Sequence, residues 1–178
     1  MNHSSIVGVT KGLLSVTILL LGLCSSISAW GQGTFGVSYA QIDDSDIGVG
    51  ALVSSVGYRY ELSDSFALVP EIRGGIGIKD DSYAGINVKL KGLAAAALRT
   101  ELKFSDHVYT FGAISYGRYR FKVSVPGTGS DTGASNDVGY GGGLGFSFSG
   151  SPDSVRLEIG YEDIDSVGIF SAGLRYRF

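Results

Sequence analysis

Three groups of side chains in this sequence are of types that do chemistry. The first is a histidine among serines. His107 is the one histidine after His3, and Ser–His pairs serve nucleophilic catalysis when a carboxylate orients the imidazole. Proximity to a serine carries little weight in so serine-rich a chain, and no three-residue constellation can be read around His107, so no catalytic residue is assigned. The second group is the aspartates Asp43, Asp44, Asp46, Asp80, Asp81, Asp131, Asp137, Asp163 and Asp165, whose segments contain Lys79 as their only cation. Asp43-Asp44-Ser45-Asp46 lacks both the alternating oxygen ligands and the closing glutamate of a calcium loop, so no metal site and no cofactor is assigned. The third group is a set of charges spaced two apart: Arg59 with Glu61, Glu71 with Arg73, Arg99 with Glu101, Arg118 with Arg120, Arg156 with Glu158, and Arg175 with Arg177. Residues two apart share one face of a β-strand, so this spacing points to ion pairing inside a sheet structure and not to catalysis.

The elements that must hold these charges are strands. From Thr34 to Phe178 the apolar pattern has a period of two. One phase is uncharged: Phe35-Val37-Tyr39, Leu52 to Leu62, Phe66 to Ile78, Ile86 to Leu98, Tyr109 to Phe121, Val138 to Phe148, Val155 to Tyr161 and Phe170 to Phe178, each taken at every second residue. The other phase holds glycine, serine, all five glutamates and eleven cations, among them Lys89, Lys91 and Lys122. All twelve aspartates fall in connections. Eight antiparallel strands are therefore expected. Pro70 stands mid-strand without an N–H to give, and a β-bulge is expected there.

Composition narrows the class. Glycine makes up 28 of 178 residues, charged residues 17%, and the formal net charge is −3, with a pI near 5.3. Such a chain is too apolar for disorder, lacks the Gly-x-y period of collagen, and lacks the basic footprint of a nucleic-acid binder. Lys11, the apolar run over residues 13–24, and small residues up to Ala29 follow the order of a secretory signal peptide, with cleavage expected after Ala29. A run of 12 is too short to span a bilayer as a helix, which takes about 20. The mature domain, residues 30–178, then has no cysteine, because Cys24 is the only one.

A water-soluble barrel would put its apolar phase inside. Here Gly139, Gly141, Gly143 and Gly145 alternate within the polar phase, which suits a crowded interior where small residues make room for arginines. The apolar phase then faces lipid, in the apolar-out, polar-in order of a closed transmembrane barrel. Ser63-Asp64-Ser65-Phe66, Ser105-Asp106-His107-Val108 and Pro152-Asp153-Ser154-Val155 read as short periplasmic turns, and residues 43–48, 79–85, 126–137 and 163–167 as outer loops. Tyr58, Tyr60, Phe66, Tyr109, Phe111, Phe146, Phe148, Tyr176 and Phe178 are expected to form an aromatic girdle at the turn end. Eight strands enclose a space that side chains can fill. The interior is thus expected to be a salt-bridged plug built on the paired arginines and glutamates above. Its eleven cations exceed five glutamates by six, so Lys89, Lys91 and Lys122 are expected to reach water or lipid phosphates at the outer mouth.

The chain closes on Leu174-Arg175-Tyr176-Arg177-Phe178, with Phe170 and Ala172 in the same outward phase. This terminal aromatic with apolar residues at alternate positions before it resembles the assembly signal of Gram-negative outer-membrane proteins. With the leader and eight alternating strands, the whole mature chain is similar to the small outer-membrane barrels: the OmpA transmembrane domain, OmpX and the opacity-type porin family. The resemblance implies residence in the outer membrane and recognition of Leu174, Tyr176 and Phe178 by the barrel-assembly machinery. It also implies outer-membrane lipid and lipopolysaccharide as surroundings, and a monomeric state. A structural or adhesin-like role is expected, with an extracellular protein partner meeting the loops that carry Asp43, Asp44, Asp46, Asp80, Asp81, Asp131 and Asp137. A narrow porin is the second reading and a lipid-modifying enzyme the third; the chain is not expected to be an enzyme, since its one mature histidine falls in a periplasmic turn.

Overall fold

The computed structural model describes residues 31–44, 47–83, 85–127, 129–149 and 154–178; the expected leader over residues 1–29, Asp46 and the Pro152-Asp153 turn lie outside them. The described chain is all β: β1 (Gly31–Asp44), β2 (Ile47–Glu61), β3 (Phe66–Lys79), β4 (Asp81–Tyr83), β5 (Ile86–Lys103), β6 (Val108–Val125), β7 (Gly129–Ser147), β8 (Val155–Ile164) and β9 (Val167–Arg177). Each is antiparallel to its neighbours in the order β3-β2-β1-β9-β8-β7-β6-β5-β4, and β3 also pairs with β5. That last pairing closes an eight-stranded barrel, and the three-residue β4 is a short addition on the outer end of β5.

Local chemistry sets the turns. The repeated serines at two periplasmic turns do the same job: the amide of Phe66 donates to Ser63 Oγ and that of Val108 to Ser105 Oγ, each at 3.1 Å. At the other end Asp165 and Ser166, with φ of 49° and 69°, form a two-residue hairpin between the paired Ile164 and Val167. Both central residues with positive φ define the turn whose twist matches that of the flanking strands.

At membrane depth the outer surface is apolar on every strand. Ile72, Ile76, Ile114 and Tyr140 are 61%, 58%, 65% and 64% exposed, while Arg99, Glu101 and Glu71 on the inner face are 2–4% exposed. Water would not tolerate that inversion over a whole molecule, whereas a bilayer requires it.

Several expectations need correction. Pro70 makes no bulge: Gly57↔Glu71 and Tyr60↔Leu68 keep one register across it, as do Val69↔Arg99 and Glu71↔Ala97 on the other side. The ladder merely loses its pairs at Pro70 and Val69 toward β2. The bulges lie elsewhere, at Ile78 opposite Gly50/Ala51 and at Lys91 opposite Arg120/Phe121. The extra residue at Lys91 reverses the phase of β5, so that Leu90 turns inward and is 1% exposed. Residues 129–137 are not part of a loop: β7 begins at Gly129 and pairs with β6 from Val125↔Gly129 onward.

β6 has the opposite phase from the one expected. Tyr109, Ala113, Ser115 and Tyr119 are buried inside, whereas Ile114, Tyr116, Arg118 and Arg120 are exposed outside. The cause is visible in the pairing. Tyr109 and Phe111 stand opposite Gly145 and Gly143, and a Cβ built on those glycines would meet the Tyr109 Cζ at 2.1 Å and the Phe111 Cζ at 2.6 Å. The glycine row of β7 thus makes room for the rings of β6.

Ala96 lies on the lipid face and Ala95 inside, against Gly117. Ala96→Arg should cost about 2–4 kcal/mol of unfolding free energy in lipid vesicles. Ala95→Arg should instead fail by crowding, read as loss of the heat-modifiable folded band on a gel.

Candidate functional site

Strand alternation brings nine of the sequence-singled charges and Glu162 into one connected network inside the barrel. It begins at the periplasmic mouth, where Arg59 binds Glu61 and also reaches Glu101 at 2.9 Å. Glu101 further meets Arg156 at 3.3 Å and Arg99 at 3.4 Å. Arg99 grips Glu158 at 2.5 Å, and Glu158 meets Arg175 at 3.2 Å. Arg175 continues to Glu71 at 2.9 Å, Glu71 to Arg73 at 2.8 Å, and Arg73 to Glu162 at 2.6 Å. Each carboxylate beyond Glu61 therefore touches at least two guanidiniums or one guanidinium and a hydroxyl; Ser115 donates to Glu162, and Tyr109 donates to Glu158 at 2.5 Å.

The inward rings of β6 complete this network. The guanidinium of Arg99 lies 3.6 Å from the centre of the Phe111 ring and that of Arg156 lies 4.7 Å from the Tyr109 ring. A cation over an aromatic face is stabilised without a counter-charge. These two rings were assigned above to the lipid-facing girdle. Their signal in the sequence is the matching two-residue spacing of Tyr109 and Phe111 against Gly145 and Gly143.

Charge balance follows from the corrected phases. Arg118 and Arg120 are not interior ion pairs, and Lys89, Lys91 and Lys122 also leave the interior phase, through the bulge at Lys91 and the phase of β6. Six arginines, including the buried Arg177, then face five glutamates, and the interior excess falls from six to one. A low-dielectric interior favours that near-neutrality.

Above the charges the interior of the barrel carries apolar side chains. Ala40, Ile42, Val49, Ala51 and Leu90 form a buried cluster, with Val53, Leu93, Phe121 and Ile169 packed on it. Between cluster and ion pairs lies a cavity of about 110 Å³ lined in part by Ser55, Arg73, Tyr119 and Glu162.

The remaining sequence candidates lie at the ends. Leu174, Tyr176 and Phe178 face outward on and just after β9, where Tyr176 and Phe178 stack at 5.9 Å. Asp43, Asp44 and Asp80 are exposed at the outer rim, while Asp131 and Asp137 belong to strand β7 and not to a loop. Asp81 accepts the amides of Gly48 and Ser82, both at 2.7 Å, and these bonds hold its carboxyl below the usual aspartate range. That clasp is in force at neutral pH and is lost only as acid protonates the carboxylate. His107 sits in the β5–β6 turn, its Nδ1 3.0 Å from the Ser147 carbonyl and its ring stacked on Phe146. This contact orients a turn, and among the described residues no carboxylate bonds to the imidazole.

On the inner face, replacing Glu101 by alanine takes a carboxylate from Arg59, Arg99 and Arg156, for Arg156 the one carboxylate it meets among the described residues, and should cost about 3–5 kcal/mol in urea unfolding from vesicles. Glu61→Ala, at the half-exposed mouth, should cost less than about 1 kcal/mol.

The geometry matches known proteins at two levels. Comparison with curated proteins finds no match. Among solved structures, Ail, the attachment invasion locus protein of Yersinia pestis, superposes with a TM-score of 0.57 at 17% identity, over 83% of this chain and 97% of that one. One of its structures is a complex with the heparin analogue sucrose octasulfate. Neisserial surface protein A matches with a TM-score of 0.52 at 17% identity, with the same coverage of 83% and 97%. At such identities the likeness concerns the fold. The family model for the outer membrane protein beta-barrel domain matches residues 16–178. This chain, a closed eight-stranded barrel that is apolar outside and ion-paired within, belongs to that outer-membrane family.

Proposed function

We propose that this protein is a surface-interaction barrel, in which a plugged, ion-paired membrane anchor carries a sheet that binds an extended segment of an extracellular protein. One observation carries the reading. β7 pairs with β8 only from Gly139↔Ile164 downward, so its residues 129–138 pair with β6 on one side and, among the described residues, with no strand on the other. The β5–β6–β7 sheet thereby projects past the rim set by β8 and β9. Exposed edges are normally blunted by lysine, proline or a bulge. Residues 129–138 contain no lysine, arginine or proline, and are mostly Gly, Ser, Thr, Ala and Asn with two aspartates. Such an edge accepts an added strand through main-chain hydrogen bonds.

The anchor reading rests on the near-neutral charge network and on the apolar cluster above it. Membrane assembly through Leu174, Tyr176 and Phe178, cleavage of a leader after Ala29 and a monomeric state belong to the same proposal. So do lipopolysaccharide as the outer lipid partner and the absence of catalysis. Two surface proteins of the same fold, Ail and Neisserial surface protein A, support the role by analogy of architecture alone.

Replacing residues 119–135 by Asn-Gly removes most of the free edge while keeping the Arg118↔Asn136 pair. The shortened protein should fold, by heat-modifiability, yet lose the adhesion that vesicles bearing the full chain show to extracellular-matrix-coated surfaces. Equal adhesion by both forms would overturn the edge reading. In planar bilayers the full chain should give no steady conductance on the nanosiemens scale, and a steady pore of that size would overturn the plug.

A further inference from the structure

The charges that the barrel expels from its interior collect on one patch of its outside. Lys89 and Lys91 of β5 and Arg118, Arg120 and Lys122 of β6 share the outer face of the projecting sheet. Their height is set by strand length. Outward residues of β6 are uncharged from Val108 to Tyr116, nine positions, and those of β5 from Leu102 to Gly92, eleven. A membrane strand needs about 9–11 residues. The first cations, Arg118 and Lys91, therefore stand where hydrocarbon gives way to outer-leaflet headgroups.

The patch is also short of anions. Lys89 lies directly opposite Lys122, and like charges in such a cross-strand pair repel. Asp80 relieves Lys89 at 3.0 Å, but among the described residues no carboxylate pairs with Lys91, Arg118, Arg120 or Lys122. Asp131 and Asp137 of β7 stand opposite Val123 and Gly117 and so fall on the other face of the sheet. Arg118 and Arg120 are flanked on β5 by Ala94 and Gly92, which leave both guanidiniums uncovered from the side. Two planar donors and two ammonium groups beside a hydrocarbon boundary suit phosphate oxygens, which guanidinium grips in a bidentate manner.

We propose that Lys91, Arg118, Arg120 and Lys122 form a binding site for the phosphates of an outer-leaflet glycolipid, the phosphorylated lipid A headgroup, whose acyl chains lie along Ile114 and Tyr116. This site rests on the reading of lipopolysaccharide as the outer lipid partner, to which it gives residues, and it stands apart from the β7 edge; retention of neither form of lipid A would count against that reading, and equal retention of both against this site.

The test uses the folded full barrel in detergent, with bis-phosphorylated lipid A or its dephosphorylated form as the probe and lipid retention read by native mass spectrometry. The wild-type barrel should prefer the phosphorylated form by about tenfold or more. The variant Lys91→Gln/Arg118→Gln/Arg120→Gln/Lys122→Gln should lose that preference, whereas Lys103→Gln at the periplasmic end should keep it. Folding of each variant is checked by heat-modifiability. Equal retention of both lipids by the wild-type barrel, which needs no variant, would overturn the proposal. So would an undiminished preference in the folded quadruple variant. Displacement of lipid A by an equimolar soluble sulfated disaccharide or by inorganic phosphate would overturn it too, because the site would then recognise free anions and not a lipid.

Discussion

Hydrocarbon surrounds this barrel along a belt where no side chain carries charge, and that constraint organises everything within it. A strand has only two faces, so each charged residue at membrane depth must point inward. Inside, water is scarce and an unpaired charge is expensive, so the guanidiniums and carboxylates are linked end to end from Glu61 to Glu162. The network works because it is nearly neutral. An interior holding all eleven cations of the polar phase would be left with a large unpaired positive charge.

Two local devices keep the excess out. The extra residue at Lys91 reverses the outer half of β5, which sends Leu90 inward to the apolar cluster and Lys89 and Lys91 outward. On β6 the aromatic residues take the inner face because the glycines of β7 leave space for their rings and the arginines offer their cations to them. The same two devices that balance the interior build the cationic patch outside. Electrostatics inside the barrel and lipid contact outside it are consequences of one assignment of phase.

Much of this was legible in the sequence. β2, β3 and β9 each carry charge on one phase only, as does β8 up to Glu162, and Arg59, Glu71, Glu158 and Arg175 read directly as interior residues. β6 was not legible by alternation. From residue 109 to 117 neither phase holds a charge, so Arg118, Arg120 and Lys122 alone decided the reading, and they lie beyond the depth where the rule applies. The depth argument, counting nine residues from Val108, would have corrected it. The Lys91 bulge has no comparable mark, since its effect depends on how β5 meets β6. Residues 129–138 resemble a loop in composition and become a strand because β6 supplies an unbroken partner. Pro70 needed no bulge because losing the pairs at Pro70 and Val69 toward β2 disturbs neither register. The site on the outer face was legible only in part: Lys91 and Lys122 were expected to reach water or lipid phosphates at the outer mouth, whereas Arg118 and Arg120 were counted as interior.

The assignment of phase on β6 is therefore the point on which the account stands, and depth-resolved labelling tests it most directly. Single cysteines at residues 113 to 120, in a chain whose one native cysteine, Cys24, is replaced by serine, would each carry a fluorophore probed with lipid-borne quenchers in vesicles. The account predicts strong quenching at mid-bilayer depth for 114 and 116, quenching at headgroup depth for 118 and 120, and none for 113, 115, 117 and 119. Strong lipid quenching at 113 and 115, with 114 and 116 silent, would contradict it.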